Sequence, residues 1–150
     1  MDTILLVDDE SEVRDLAREI LEAHGYRILQ AGSAEEALEV AHRHPEPIAL
    51  LLTDVVMPGM HGHELAAQLR IHRPETKVLY MTGFALVQAQ HEMLSMRAGL
   101  EPGSALLPKP FSSEGLARKV GEVLTTRTAA PRSPFARGRA PGPRADPWWP

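Results

Sequence analysis

Apolar residues along this chain gather into five short runs, and each run is followed by a stretch with a different spacing. The runs begin near Thr3, Arg27, Ile48, Lys77 and Ser104. Residues 3–7, 48–53 and 78–81 are nearly continuous in apolar character, which predicts strands covered on both faces. Residues 27–31 alternate more, which predicts a strand near a sheet edge. The intervening stretches step by three and four. Val13, Leu16, Ala17, Ile20, Leu21 and His24 form one stripe that ends at Gly25. Ser33 with Glu36 reads as a capping box opening a helix through Leu38 and Ala41, and Pro45 and Pro47 close it. Leu65, Ala66 and Leu69 mark a third helix, ended before Pro74. Leu86, Ala89, Met93 and Met96 mark a fourth, stopped near Gly99, with both methionines read as core. Leu116, Val120, Val123 and Leu124 mark a fifth, capped by Ser112. Five strand–helix units in succession predict an α/β fold with a parallel sheet between two helix layers.

Composition places a boundary on that pattern. The chain has 150 residues, 43% of them hydrophobic and 24% charged, ordinary for a globular domain able to bury a core. There is no cysteine, so disulfides, thiolate metal sites and a cysteine nucleophile are excluded. The first apolar run, residues 4–7, is cut off by Asp8 and Asp9. That is too short for a membrane span and wrong for a signal peptide, and predicts a cytoplasmic protein. Residues 1–126 hold 11 Lys+Arg against 19 Asp+Glu, a net of −8, whereas residues 127–150 hold 5 Arg against Asp146 alone, a net of +4. The acidic body argues against a nucleic-acid-binding face. The stretch 127–150 also carries 6 of the 13 prolines. It is expected to be a disordered Pro/Arg-rich tail after a domain spanning 1–126.

The chemistry is expected where such sheets bind ligands, beyond the carboxyl ends of the strands. Asp8 and Asp9 follow the first run, Asp54 the third, Thr82 the fourth and Lys109 the fifth. The second ends in Ala31-Gly32-Ser33 and offers little. Carboxylates meeting at one rim repel each other unless a cation joins them. All-oxygen ligands suit Mg²⁺, which keeps waters and leaves room for a phosphate. A lysine adds a point charge for a phosphoryl oxygen, and a threonine hydroxyl can donate to another. An aspartate can itself act as a nucleophile and form an aspartyl phosphate. The set reads as a phosphoryl-transfer site.

Each piece has a plainer reading when taken alone. Asp8-Asp9-Glu10 can be acids favouring a helix N-terminus, and Asp54 a turn residue before Met57-Pro58-Gly59. Thr82 can open a loop, and Lys109 can be a solvated lysine. His61 and His63 stand two apart, so they share no helical face, and with His72 they read as surface histidines rather than metal ligands. In the tail, Arg132, Arg137, Arg139 and Arg144 can touch an acidic partner, RNA or an anionic membrane and Trp148-Trp149 can anchor at an interface, but a solvated extension is the simpler reading.

Taken together, the pieces resemble the receiver domain of two-component response regulators over residues 2–125. They are Val7-Asp8-Asp9-Glu10, Thr53-Asp54-Val55-Val56-Met57-Pro58-Gly59 with Gly62, Met81-Thr82-Gly83, and Lys109-Pro110-Phe111. The wording around Tyr80-Met81-Thr82-Gly83 and Pro108-Lys109-Pro110-Phe111 is most similar to receivers of hybrid sensor histidine kinases and their stand-alone relatives. The resemblance implies a flavodoxin-like (βα)5 sandwich with strand order 2-1-3-4-5. It implies that Asp54 is the phosphoacceptor and that Asp8 and Asp9 hold Mg²⁺, with the Val56 carbonyl as a further ligand. It gives Thr82 and Lys109 the phosphoryl oxygens and makes the Lys109–Pro110 peptide cis. It implies a sensor histidine kinase or phosphotransfer protein as partner, with self-catalysed transfer and hydrolysis rather than turnover of a separate substrate. No DNA-binding domain is expected to follow, which predicts a single-domain regulator acting by protein contacts. One position departs from the family: Leu106 stands where an aromatic ring usually rotates with the threonine. Two other readings stay open. One is a binding module of this fold that no longer responds to phosphate. The other is a small phosphatase or flavin-binding protein of similar topology, disfavoured because no Gly-rich loop follows the first run.

Overall fold

Nine elements carry the five-run pattern into three dimensions in a computed structural model, which describes residues 1–83 and 105–125. In chain order they are β1 (Thr3–Val7), α1 (Ser11–Ala23), β2 (Arg27–Ala31), α2 (Ala34–Arg43), β3 (Leu50–Asp54), α3 (Gly62–His72), β4 (Lys77–Thr82), β5 (Ala105–Pro108) and α4 (Ser113–Thr125). The strands form one parallel sheet of order β2-β1-β3-β4-β5. The helix expected around Leu86 to Met96, and the tail from 127 onward, lie outside the described residues.

Successive side chains of a strand face opposite sides, and here the alternation divides the core in two. Leu5, Val7, Leu51 and Tyr80 meet Ala34, Ala37 and Ala41 of α2 and Leu65, Ala66 and Leu69 of α3. Ile4, Leu6, Leu50, Leu52, Leu79 and Met81 meet Ala17 and Leu21 of α1 and Leu116 and Val120 of α4. Every residue of β1 and β3 is buried, as the continuous apolar runs require of central strands. β2 stands at the edge with exposed Arg27 and Gln30.

The helix ends mostly follow local chemistry legible in the chain. After α1, Gly25 takes φ +92°. Its N–H donates to the Glu22 carbonyl at 3.0 Å, and the Tyr26 N–H to the Leu21 carbonyl at 3.2 Å, the paired bonds of a Schellman ending. Ser112 Oγ accepts the Gly115 N–H at 2.9 Å, the expected cap of α4. Two expectations need correction. Leu16 is 49% exposed and His24 is also exposed. The buried stripe of α1 is narrower than the apolar spacing, centred on Ala17 and Leu21, and His24 lies just past the last turn as its C-cap. At α2, Ser33 Oγ accepts the Glu36 N–H at 3.1 Å, but the Glu36 carboxylate reaches past Ser33 to the Gly32 N–H at 2.7 Å. The capping box is therefore only half formed.

At the opposite end of the sheet from the predicted site, Arg73 binds helix α2 to the α3–β4 turn. Its guanidinium donates to the carbonyls of Ala41 (3.0 Å), Glu46 (2.8 Å) and His44. Carbonyls at a helix C-terminus have no intrahelical donor, and a charged donor satisfies them well. Arg73→Met should lower stability by about 1–3 kcal/mol. The check is urea unfolding, with a lower midpoint and an unchanged slope.

Candidate functional site

The parallel sheet brings its strand ends to one rim, and the local chain aims side chains across it. Asp8 follows β1 and is fully buried. Its N–H donates to the Ala31 carbonyl at 3.3 Å, and its carboxylate accepts the Glu10 N–H at 2.9 Å. Asp54 closes β3 and is 7% exposed. Asp9, also past β1, is exposed. One carboxylate oxygen from each of Asp8, Asp9 and Asp54 lies within 4.8 Å of the other two. Such a donor set, all oxygen and all acidic, fits Mg²⁺.

Lys109 faces them from beyond β5. Its backbone N–H donates to the Thr82 carbonyl at 2.8 Å, which fixes the stem, and its peptide bond to Pro110 is cis. Its Nζ lies 2.8 Å from Asp54 Oδ1, 3.2 Å from Asp8 Oδ2 and 3.8 Å from Glu10 Oε1. Thr82 ends β4 at 1% exposure, and its hydroxyl has no partner among the described residues. A buried hydroxyl without a partner is costly in a finished core, so this one is available to a ligand. Val56 sits two residues past β3 with its side chain exposed.

Electrostatics set these groups against each other. Burial raises the Asp54 carboxyl, the Lys109 ammonium holds it down and the neighbouring Asp8 charge pushes it up, which together leave it at about 7. Burial lowers the Lys109 ammonium, but its contacts with Asp54 and Asp8 outweigh that and raise it on balance. Among the described residues, the site is a set of partly unreconciled negative charges around the Lys109 ammonium.

The loop after Asp54 is positioned by two residues. Gly62 opens α3 where a Cβ would overlap the Asp54 carbonyl oxygen, and its N–H donates to the Val55 carbonyl at 3.0 Å. Only glycine allows that approach. His61 caps α3. Its Nδ1 lies 3.3 Å from the Met57 N, and its N–H donates to Glu64 Oε1 at 2.9 Å. Histidine is not a usual cap, but Glu64 three residues on was the available signal. Leu106 is half-buried and stands opposite Tyr80 in the β4–β5 register. An aromatic ring therefore lies one strand away from the position that lacks one.

The model of the response regulator receiver domain matches residues 4–121. The chain belongs to the response regulator receiver family. This receiver is 34% identical over 122 residues to the sensor kinase CckA of Brucella abortus (strain 2308), covering 81% of this chain and 12% of that protein. It is 33% identical over 124 residues to the response regulator receiver protein CpdR of the same organism, covering 83% of this chain and 98% of CpdR. Among solved structures, the receiver domain of the hybrid histidine kinase CckA superposes with a TM-score of 0.66 at 34% identity, covering 81% of this chain and 98% of that one. A CheY-like receiver from Methanospirillum hungatei JF-1 gives 0.66 at 32% identity, covering 83% and 94%. The receiver is thus a homologue both of a module within a larger kinase and of a regulator of about its own length. Among the described residues, no helix is long and apolar enough to cross a membrane.

The raised Asp54 carboxyl predicts a pH dependence for the metal-free receiver. Its folded value of about 7 lies above its ordinary 3.8, so ionisation opposes folding. That cost is absent below about pH 4 and complete above about pH 7. With a chelator present, Asp54→Asn should therefore stabilise the fold at pH 8 by about 1–3 kcal/mol. The gain should vanish near pH 4. Urea midpoints of the two proteins at both pH values check this, and a gain of equal size at both would contradict it.

Proposed function

We propose that the receiver accepts a phosphoryl group on Asp54 from a phosphohistidine of a sensor histidine kinase or phosphotransfer protein. The observation that carries this reading is the convergence of three carboxylates and Lys109 at the rim where the Thr82 hydroxyl has no partner among the described residues. Asp8, Asp9 and Asp54 would hold Mg²⁺, with the Val56 carbonyl as a further ligand. Bound there, the ion supplies positive charge that offsets the clustered carboxylates and the incoming phosphoryl oxygens.

In the transfer, an Asp54 carboxylate oxygen forms a bond to phosphorus as the phosphorus–nitrogen bond of the donor breaks, and the released imidazole takes a proton from solvent. Asp54 must be ionised to attack. Lys109 is already 2.8 Å from it and passes its charge to a phosphoryl oxygen as the product forms. Thr82 donates its free hydroxyl to a second oxygen. Hydrolysis by water at the same phosphorus returns the carboxylate, so the domain catalyses its own phosphorylation and dephosphorylation. On composition, residues 1–126 read as the receiver and residues 127–150 as a Pro/Arg-rich extension of it. The output is through protein contacts in the cytoplasm.

Incubation with a small phosphoryl donor and Mg²⁺ should add one phosphate to the intact protein by mass spectrometry. Asp54→Asn should abolish the addition, and so should a chelator. A label on serine or histidine would sink this reading, and no label on protein shown to be folded would favour a binding module of the same fold. For the tail, deleting residues 128–150 should leave the melting temperature and Asp54 labelling nearly unchanged, because its composition buries too little apolar surface to offset chain entropy. A loss of several degrees would mean that Trp148 and Trp149 pack on the body.

A further inference from the structure

Asp8 and Asp9 share one short loop, and a side chain outside every motif braces it. Arg14 lies in α1, and its Nη1 turns back to donate to the Asp8 carbonyl at 2.6 Å. The N-cap of α1, Glu10, contributes no side-chain bond to the helix start. The loop is held instead by the Asp8 carboxylate, the Asp8 N–H and Arg14. The first of these anchors is itself one of the groups facing the predicted metal, and Lys109 shares its oxygens. Arg14 pairs with no carboxylate among the described residues and bonds only the backbone. It therefore holds the loop without drawing on a ligand oxygen.

Its seat is a missing side chain. A Cβ on Gly32 would stand 3.2 Å from Arg14 Nη1 and 3.9 Å from Cζ. The Gly32 backbone is itself tied down by its N–H bond to Glu36 at 2.7 Å. The run Ala31-Gly32-Ser33 offers the site no polar side chain, yet it supplies the surface on which the guanidinium rests.

We propose that Arg14 is the positioning residue of the metal-binding loop: braced on Gly32, it fixes the Asp8 backbone and so the direction of the Asp8 and Asp9 carboxylates. The inference rests on the reading of Asp8, Asp9 and Asp54 as a Mg²⁺ site. Groups that orient metal ligands from outside the coordination shell commonly carry about a tenfold effect on affinity.

Mg²⁺ binding to the full chain, followed by amide NMR shifts of Asp9 and Glu10, tests it. Arg14→Met should raise the Mg²⁺ dissociation constant about tenfold while the protein in chelator remains folded. Arg14→Lys, which keeps a cationic donor, should recover part of the loss. Gly32→Ala should weaken binding in the otherwise unaltered protein by displacing the guanidinium, and should have no effect once Arg14 is Met. Should Arg14→Met fail to fold, the Lys and Gly32→Ala variants carry the test. An unchanged dissociation constant in Arg14→Met, or a Gly32→Ala effect that persists without Arg14, would overturn the proposal. Absence of Mg²⁺ binding in the unaltered protein would instead refute the metal reading and take this inference with it.

Discussion

Two aspartates taken out of water at the ends of neighbouring strands need a cation, and among the described residues Lys109 is the one that pairs with both carboxylates. Its ammonium touches Asp54 and Asp8 at once. Charges in a low-dielectric site are costly alone and remain costly when only partly compensated. One lysine against three nearby carboxylates leaves the rim short of positive charge. Burial, offset only in part by the Lys109 ammonium, and the neighbouring Asp8 charge make Asp54 resist ionisation in the isolated protein. A divalent ion would offset that deficit.

The rest of the fold serves that contact. β1 and β3 are adjacent and buried throughout, so Asp8 and Asp54 emerge side by side. β4 and β5 follow on the same flank, and the Thr82 carbonyl takes the Lys109 N–H. The sheet order thus converts four positions distant in sequence into neighbours. Gly62 then lets α3 start against the Asp54 carbonyl. Asp54 is gripped through its backbone while its carboxylate faces the rim.

The strands and the polar residues at their ends were legible because parallel central strands leave unbroken apolar runs and loops begin abruptly, while the strand order came from the family resemblance alone. The acidic pair, Asp54, Thr82 and Lys109 all lie where that reading put them, at one rim. What escaped it depends on side-chain reach rather than residue type. His61 looked like a surface histidine, and its hold on the loop before α3 appears only once the Met57 N–H is folded back over it. Leu16 fits the helical period of α1, but how wide a helix face the sheet covers is a tertiary fact. Arg14 and Arg73 each seek backbone carbonyls, which no sequence pattern marks. Glu36 chose the Gly32 N–H over that of Ser33, two donors one residue apart that a motif cannot separate.

The divided core has an evolutionary consequence. Odd-numbered residues of β1, such as Leu5 and Val7, serve the α2–α3 side, and even-numbered ones, such as Ile4 and Leu6, serve the α1–α4 side. The two halves share backbone but no side chains. Substitutions that reshape one helix layer are therefore shielded from the other by the sheet. A lineage can remodel one outer surface to meet a new protein while the opposite surface keeps its old shape. Insertions are different: one extra residue within a strand would exchange the two sets of side chains and damage both halves together. Divergence in such a domain is thus channelled into point changes on a single layer and into length changes in its loops.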